Sequence, residues 1–260
     1  MLVLMIGDVV GEPGCRALGR ILPGFKRARG VDFCVVNGEN SAVGNGVTPA
    51  SYETLLAAGA DVVTGGNHSL RRPEITRVLE APFSSLLRPY NMHRSAPGAG
   101  LTVLEKGSLR LGVVNLLGQV FMDHVENPFD ALDRARAAFD EARVACTLVD
   151  LHAEATAEKR ALGFYADGRF SAVIGTHTHV QTADAEIMPG GTAYLTDVGM
   201  TGVHASVLGV ETELAIKKQR TGLPVRFQSA EGRARIDGAL IGIDRNTGRA
   251  TKIETLQLDA

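Results

Sequence analysis

The sequence predicts a mixed α/β domain with a largely parallel core and antiparallel hairpins at its edges. Short apolar runs of strand length alternate with helical segments along most of the 260 residues, which is typical of parallel sheets. Two pairs of apolar runs are separated instead by tight turns, at Lys106-Gly107-Ser108 and Pro189-Gly190-Gly191, and these predict hairpins. The chain contains no stretch of linker composition and no internal repeat, so we expect one domain over residues 1–260.

The individual elements follow from the apolar runs and the breaks between them. The first strand runs directly into Gly7-Asp8, and Pro49 suits the first turn of the second helix. The predicted strands are Leu2–Ile6, Phe33–Val36, Val62–Thr64, Leu101–Glu105, Leu109–Val114, Thr147–Leu151, Ala172–Gly175, Ile187–Met188, Ala193–Leu195, Ala234–Ile243 and Ala250–Leu258. The predicted helices are Pro13–Ala28, Pro49–Ala58, Arg72–Leu79, Asp130–Val144, Ala155–Ala166 and Glu211–Gln219.

The composition argues against several classes of protein. A formal charge of -2 provides no broad basic surface, so an extended nucleic-acid interface is not expected. No apolar run is long enough to span a bilayer and the first residues lack the basic start of a signal peptide, which predicts a cytoplasmic protein without a membrane partner. Cys15, Cys34 and Cys146 form no Cys-x-x-Cys pair, so neither a disulfide framework nor a thiolate zinc site is expected.

Polar residues able to bind a metal follow five separate apolar runs. The carboxyl ends of parallel strands share one edge of a sheet, and open α/β folds bind their ligands at that edge. Hard oxygen donors together with several imidazoles suit Mn, Fe or Zn better than Ca. We therefore expect a metal site where these residues meet, namely Asp8, Glu39, Asn40, Asn67, His68, His152, His177 and His179.

Most of these signals have a simpler alternative when each is taken alone. Asp8 precedes a helix and would serve equally well as its N-terminal cap. The run Gly7–Gly14 is glycine-rich like a dinucleotide loop, but its spacing differs from G-x-G-x-x-G and Asp8 would repel a pyrophosphate. A single histidine such as His152 is more often structural than a ligand. His177 and His179 are stronger signals, because residues two apart on an extended segment point the same way.

Several blocks of the sequence resemble a known superfamily. Gly66-Asn67-His68 and Gly175-Thr176-His177-Thr178-His179 resemble the GNH and G-x-H-x-H blocks of the calcineurin-like metallophosphoesterases. Gly7-Asp8, Asn37-Gly38-Glu39-Asn40 and the block Thr196–Gly202 are similar to the less common pattern of its YmdB-like branch. The resemblance runs in order from residue 7 to about residue 210 and implies a single-domain metallophosphoesterase-like α/β sandwich.

The same resemblance implies a pair of divalent or trivalent metal ions and a general acid. His68, which follows a ligand without being one, would protonate the leaving oxygen. The implied ligands are Asp8, Asn40 and His179 for the first metal, Asn67, His152 and His177 for the second, and Glu39 as the bridge between the two.

Two departures from the superfamily pattern affect the expected metals. Val10 stands where that pattern has a histidine ligand, and Glu39 stands where it has a bridging aspartate. Asn40 would supply the ligand lost at Val10, so an amide oxygen replaces an imidazole at the first metal. Because this makes the first site harder, we expect iron or manganese rather than zinc.

The resemblance implies a phosphodiesterase that acts on small phosphodiesters such as cyclic nucleotides, including 2′,3′-cyclic monophosphates. Two cations about 3.5–4 Å apart offset the charge of a phosphodiester, lower the pKa of a water and clamp the attacking and leaving oxygens. A phosphomonoesterase or protein phosphatase of the same superfamily is the nearest alternative. A weakly catalytic regulatory protein that binds metal or nucleotide is another, although a complete ligand set with His68 favours an enzyme.

Other features of the sequence support weaker predictions. Arg71 and Arg72 follow His68 closely and suit either a substrate contact or the solvated start of a helix. We expect His204 to be a surface residue and neither His93 nor His124 to be a ligand. Edge hairpins would allow subunits to pair, so a homo-oligomer stays open.

Overall fold

The computed structural model describes all 260 residues, and two β-sheets pack face to face at its centre. Their strands are β1 (Leu2–Ile6), β2 (Asp8–Val9), β3 (Phe33–Asn37), β4 (Val62–Thr64), β5 (Leu86–Leu87), β6 (Leu101–Lys106), β7 (Leu109–Leu117), β8 (Thr147–His152), β9 (Ala172–Thr176), β10 (Glu186–Ile187), β11 (Ala193–Leu195), β12 (Met200–Val203), β13 (Ala234–Ile243) and β14 (Ala250–Asp259). The helices are α1 (Gly11–Arg29), α2 (Pro49–Ala57), α3 (Thr76–Leu79, after a 3₁₀ turn at Pro73–Ile75), α4 (Pro128–Glu141), α5 (Thr156–Ala166) and α6 (Thr212–Thr221).

The two sheets differ in strand order but have a similar construction. The first sheet has the order β2-β12-β13-β1-β3-β4-β5, with β14 paired to β13, and the second has the order β10-β11-β9-β8-β7-β6. Parallel pairs form one half of the first sheet, β1-β3-β4-β5, and the middle of the second, β7-β8-β9-β11. Antiparallel pairs flank them at β6-β7, β10-β11 and β13-β14. The predicted mixed core with antiparallel hairpins is confirmed.

Three apolar cores hold the layers together. The central core lies between the sheets and joins residues such as Met5 and Val35 of the first to Leu148 and Ile174 of the second. A second core lies between the first sheet and helices α1 and α2, and a third lies between the second sheet and helices α4 and α5. Burial on both faces explains why the central strands are continuous apolar runs rather than alternating ones.

The helices are shorter or longer than predicted by a few residues, and three short strands were not predicted. Strands β2, β5 and β12 have two to four residues each, too few to show a periodic pattern. Their pairing has a consequence for the site, because β2 lies parallel to β12 and places Asp8 opposite Met200. No helix is both long enough and apolar enough to cross a membrane.

Candidate metal centre

Strand ends from both sheets bring the predicted site residues together. Asp8 lies in β2, Glu39 and Asn40 follow β3, and Asn67 and His68 follow β4, all in the first sheet. The second sheet supplies the remaining three, with His152 as the last residue of β8 and His177 and His179 just after β9. The sequence reasoning placed such residues along the edge of a parallel sheet, whereas the structure uses the facing ends of two sheets.

His152 is the centre of one half of this site. Its Nε2 lies 3.0 Å from Asn67 Oδ1, 3.0 Å from His177 Nδ1 and 3.4 Å from Glu39 Oε1. Ligand atoms of Glu39, His152 and His177 all lie within 4.8 Å of one another, close enough to share a metal ion. The structure thus brings together the three residues predicted for the second metal and the predicted bridge.

Asp8, Asn40 and His179 form the other half of the site. His179 Nε2 lies 3.7 Å from Asp8 Oδ1 and 3.3 Å from Asn40 Nδ2. Asn40 therefore turns its amide nitrogen toward His179, while its Oδ1 lies 3.0 Å from His68 Nδ1. Because a metal binds the amide oxygen, the predicted role of Asn40 requires its amide group to rotate by half a turn.

The chemistry of these atoms fits a cation. His152 Nδ1 lies 2.9 Å from the Thr176 hydroxyl, which itself donates to Asp150 Oδ1 at 2.7 Å. Since that hydroxyl hydrogen is used, Nδ1 carries an imidazole hydrogen, and Nε2, which faces the oxygens of Asn67 and Glu39, is the nitrogen left to bind a metal. The Asp8 Oδ1 atom is buried and has no hydrogen-bond partner. Buried acceptors that face one another are stabilised by a bound cation.

The electrostatics of the site show the same excess of negative charge. Burial raises the pKa of Asp8 above its usual value. Burial also opposes ionisation of Glu39, but the nearby charge of His152 and hydrogen bonds from His152 and His68 hold its pKa well below the usual range. For His152, burial lowers the pKa, yet Glu39 and Asp8 outweigh it and raise the value to about 9. Burial and the charge of His152 lower the pKa of His177 to about 3.

His68 lies between the two halves of the site and faces them through one ring nitrogen. Its Nδ1 lies 3.0 Å from both Glu39 Oε1 and Asn40 Oδ1, and its backbone N–H donates to Glu39 Oε2 at 2.9 Å. Both atoms near Nδ1 are acceptors, so Nδ1 carries a hydrogen. The other nitrogen, Nε2, is 3.5 Å from the Asn67 amide nitrogen, too far for a good hydrogen bond.

The loop from His177 to His179 reaches the site by a geometry different from the one predicted. His177 has φ 102° and His179 has φ 64°, so the segment is not extended and the alternation argument was wrong. Both rings still face the site, because the His177 N–H donates to Asp8 Oδ2 at 3.1 Å and the Thr178 N–H donates to Asp197 Oδ2 at 3.0 Å. The Leu208 carbonyl, 3.2 Å from His179 Nδ1, fixes the second ring.

A buried polar network behind His152 was missed in the sequence. Asp150 accepts hydrogen bonds from the hydroxyls of Thr64 and Thr176 and from Asn37 Nδ2, and this ties β3 and β4 to β8 and β9. Burial raises the pKa of Asp150 to about 6. The sequence did contain a signal, because Asp150 is a charged residue inside the apolar strand β8 and lies two positions before His152.

Gly66 has no side chain because the site leaves no space for one. A Cβ at this position would overlap the Glu39 carboxylate and the His152 ring. Asp8 does not cap the following helix, since Val10 is the N-terminal cap residue of α1 and makes no side-chain capping bond. Of the two readings of Asp8, the structure therefore favours the site over the cap.

A cleft of about 1190 Å³ opens over the site. Arg72 is occupied, since its guanidinium donates to the Asn45 carbonyl at 3.0 Å and to the Val43 carbonyl. Arg71 is exposed and makes no side-chain hydrogen bond or ion pair. The residues lining the cleft include Val10, Glu39, Asn40, His68, Arg71, Arg72, Glu154, His177, His179, Leu208, Arg226, Phe227 and Glu231.

The remaining histidines and the cysteines lie apart from this site. His93 contacts Ser95 at the surface, and His124 is exposed. His204 was expected at the surface but is partly buried, with its Nε2 3.5 Å from the buried Asp237 carboxylate. All three cysteines are buried free thiols.

Residues 4–256 match a family model described as YmdB-like protein. The chain belongs to the YmdB-like family. The family resemblance predicted from the strand-end blocks is therefore confirmed. A calcineurin-like phosphoesterase of Bacillus subtilis, YfkN, shares the fold with a TM-score of 0.60 at 11% identity, covering 100% of this chain and 90% of that one. At this identity the likeness shows the fold alone, and it confirms the predicted metallophosphoesterase-like α/β sandwich.

Members of the YmdB-like family and similar structures match the chain over its full length. A 2′,3′-cyclic-nucleotide 2′-phosphodiesterase of Bacillus subtilis strain 168 is 44% identical over 259 residues, covering 100% of this chain and 97% of that protein. The crystal structure of a hypothetical protein from Thermus thermophilus has a TM-score of 0.93 at 44% identity and covers 100% and 99% of the two chains. That of a novel phosphatase from Mycoplasma pneumoniae has a TM-score of 0.92 at 32% identity and covers 100% and 93%.

Proposed function

We propose that this YmdB-like protein is a two-metal phosphodiesterase that hydrolyses 2′,3′-cyclic nucleotides. The observation that carries the proposal is the convergence of buried acceptor atoms from Asp8, Glu39, Asn67, His152 and His177 beneath an open cleft. The full-length similarity to a 2′,3′-cyclic-nucleotide 2′-phosphodiesterase supports the substrate class.

The two halves of the site correspond to two ligand groups. Two cations held there would offset the charge of the phosphodiester, acidify a water and clamp the attacking and leaving oxygens. Glu39 Oε1 lies 2.8 Å from Asn40 Nδ2 of one group and 3.4 Å from His152 Nε2 of the other, a position suited to a bridging carboxylate. The proposed ligands are Asp8, Asn40 and His179 in one group and Asn67, His152 and His177 in the other, with Glu39 shared.

His68 is the proposed general acid. Its Nδ1 donates to Glu39 Oε1, a contact that does not depend on the orientation of the Asn40 amide, so the ring is held and its Nε2 is left to carry the transferable proton. An alkoxide such as the ribose oxygen released from a cyclic phosphate is a poor leaving group and needs that proton. As the oxygen of the attacking water forms its bond to phosphorus, the bond from phosphorus to the ribose oxygen breaks, and the ribose oxygen takes the hydrogen from Nε2.

Iron or manganese is the proposed metal in preference to zinc. The group of Asp8, Asn40 and His179 offers two oxygen donors and one imidazole, a harder set than the imidazole-rich sites that zinc favours. Metal analysis of protein purified without added metal tests this choice. Zinc alone in both positions would contradict it.

Arg71 is the proposed contact for the phosphate or the base of the nucleotide. Because Arg72 holds the backbone of residues 43–45, Arg71 is the neighbouring guanidinium that is free to bind an anion. Leu208 and Phe227 add exposed apolar surface to the cleft lining, which suits a planar base.

A cytoplasmic location and a single domain are parts of the same proposal. Three buried free thiols suit a reducing compartment. The central core is shared by strands of both sheets, which supports one folding unit over residues 1–260.

Hydrolysis of bis-p-nitrophenyl phosphate by protein reconstituted with Mn(II) or Fe(II) tests the proposal, followed by 2′,3′-cyclic AMP. Asp8→Ala and Glu39→Ala remove a ligand from one group and the bridge. Glu213→Ala is the control, since Glu213 is an exposed carboxylate in the first turn of α6, outside the cleft lining. We expect metal-dependent activity in the wild type and the control and none in the other two.

Two other results would replace the proposal. Faster turnover of mono-p-nitrophenyl phosphate than of the diester would indicate a phosphomonoesterase. No turnover by folded, metal-loaded protein would indicate a regulatory protein that binds metal or nucleotide.

A further inference from the structure

Glu154 is an acidic residue in a cleft that the proposed function assigns to an anionic substrate. Its side chain is half exposed and lines the cleft beside His177. Two like charges 4 Å apart repel by about 1 kcal/mol even in bulk water, so this carboxylate opposes the binding of a phosphodiester. Its position therefore calls for a role other than contact with the substrate.

The contact that Glu154 makes is with the ring of His177. Glu154 Oε2 lies 3.0 Å from His177 Nε2, and the opposite ring nitrogen, Nδ1, lies 3.0 Å from His152 Nε2. A carboxylate only accepts hydrogen bonds, so the imidazole hydrogen lies on Nε2 and the lone pair on Nδ1. Glu154 thereby selects the tautomer whose Nδ1 can bind a metal.

The backbone around His177 is held separately from its ring. A non-glycine residue with φ 102° costs about 1–3 kcal/mol, and two hydrogen bonds to Asp8 and Asp197 fix this stretch of the loop. Neither bond restricts rotation of the imidazole about its side-chain torsions. On the cleft side, Glu154 is the group bonded to the ring.

We propose that Glu154 is a positioning residue that holds His177 in the tautomer and orientation required for the second metal. The proposal rests on the proposed function for the role of His177 as a ligand. Carboxylates that accept from the distal nitrogen of a metal-bound histidine typically strengthen metal binding by about 10–100-fold. No hydrogen bond or ion pair joins Glu154 to Asn67 or Glu39, so its effect reaches the site through His177.

The first test is the tautomer of His177 in metal-free protein, read from long-range ¹H–¹⁵N correlations of the imidazole ring. We expect the hydrogen on Nε2 in the wild type and in Glu154→Gln, whose side-chain oxygen still accepts. We expect a mixture of tautomers in Glu154→Ala and Glu154→Met. Glu231→Ala is the control, because Glu231 is another carboxylate in the cleft lining, and its ion-pair partner is Arg16.

The second test is the affinity for Mn(II), measured by competition with a chromophoric chelator. We expect Glu154→Ala and Glu154→Met to bind one of the two ions about 10–100-fold more weakly, with Glu154→Gln recovering most of the loss and Glu231→Ala equal to the wild type. Methionine fills the space of the glutamate, so Glu154→Met still provides the test if Glu154→Ala fails to fold.

The results separate this proposal from the proposed function. Wild-type tautomer and wild-type Mn(II) affinity in both Glu154→Ala and Glu154→Met would overturn the positioning role. Wild-type protein that binds two Mn(II) ions and hydrolyses no phosphodiester would overturn the proposed function, while the Glu154 effects on tautomer and affinity would stand.

Discussion

Two buried polar clusters lie side by side at the ends of β8 and β9, and they differ in whether their acceptors have donors within the protein. In the first, Lys159 Nζ donates to Asp197 Oδ2 at 2.8 Å and to the Thr176 carbonyl at 2.7 Å, and two backbone N–H groups donate to the same carboxylate. In the second, the metal-site cluster, His152 Nε2 faces acceptors of Asn67 and Glu39. The first is complete in itself, and the second has more acceptors than donors.

The difference separates a cluster that stabilises the chain from one that is arranged to bind a ligand. A buried ion pair with all its hydrogen bonds made needs no further partner. A buried group of acceptors is unfavourable until a cation enters. The loop 177–179 joins the two, since Thr178 is bonded to Asp197 while the histidines on either side of it face the metal-site cluster.

The largest expected effect concerns His68, the proposed proton donor of the metal-site cluster. His68→Ala should lower kcat/KM for 2′,3′-cyclic AMP by about 100- to 10,000-fold, because the ribose oxygen needs a proton to leave. The loss on bis-p-nitrophenyl phosphate should be far smaller, since nitrophenolate leaves without one. Steady-state kinetics on both substrates provide the measurement, with His204→Ala, which removes a histidine outside the cleft lining, as the control. Equal losses on the two substrates would rule out the acid role.

Disruption of the first cluster, built on Lys159 and Asp197, should lower the stability of the fold. Asp197→Ala leaves the Lys159 ammonium buried without a counter-charge, and we expect the free energy of unfolding to fall by about 3–5 kcal/mol. Urea unfolding of metal-free protein measures this change. The double variant Lys159→Met/Asp197→Leu removes both charges and should recover the part of the loss that comes from the unpaired ammonium, whereas the N–H groups of Thr178 and Gly199 still lack their acceptor. A double variant no more stable than Asp197→Ala would show that the pair is not a self-contained unit.

The sequence predicted the metal-site cluster better than it predicted the complete one. Asp8, Glu39, Asn67, His152 and His177 were predicted to lie close together because each is at or just after the end of an apolar strand, and the structure brings them together. The fold class could also be predicted from local patterns, since alternating apolar runs and helices indicate parallel strands. Lys159 lies in α5 far along the chain from Asp197, and no local pattern links a helical lysine to an aspartate in a distant loop.

Other contacts between distant segments could not be predicted from the sequence either. The division of the strands between two sheets depends on long-range register, as in the pairing of Asp8 with Met200. The positive φ values of His177 and His179 are imposed by hydrogen bonds to Asp8 and Asp197 rather than by residue preference. Glu154 looks like any polar residue before a helix until the ring of His177 is placed beside it.

Metal addition should stabilise the protein only through the metal-site cluster. At Mn(II) concentrations about 100 times the dissociation constant, each occupied position should add about 2.7 kcal/mol to the free energy of unfolding. Urea unfolding with Mn(II) and with EDTA provides the comparison. Glu39→Ala, which lacks the proposed bridge, should gain much less. The same gain in Glu39→Ala as in the wild type would place the bound metal elsewhere.

The smallest expected effect is a gain in stability rather than a loss. One substitution in the metal-site cluster should raise the free energy of unfolding of metal-free protein. Burial raises the pKa of Asp8 above its ordinary value of 3.8, so the folded state holds this proton more tightly than the unfolded chain does. The contribution of Asp8 is therefore favourable below pH 3.8 and is lost as the pH rises through the raised pKa of the folded state.

Asp8→Asn removes this dependence and supplies an amide where Oδ1 has no partner. At pH 7 in EDTA we expect the variant to be more stable than the wild type by about 1 kcal/mol, and the difference to shrink as the pH approaches about 4. With Mn(II) the order should reverse, because the amide is a weaker ligand than the carboxylate. Urea unfolding of both proteins across this pH range gives the answer. A metal-free variant less stable than the wild type at pH 7 would mean that Asp8 stabilises the fold by itself, as Asp197 does, and the contrast between the two clusters would fail.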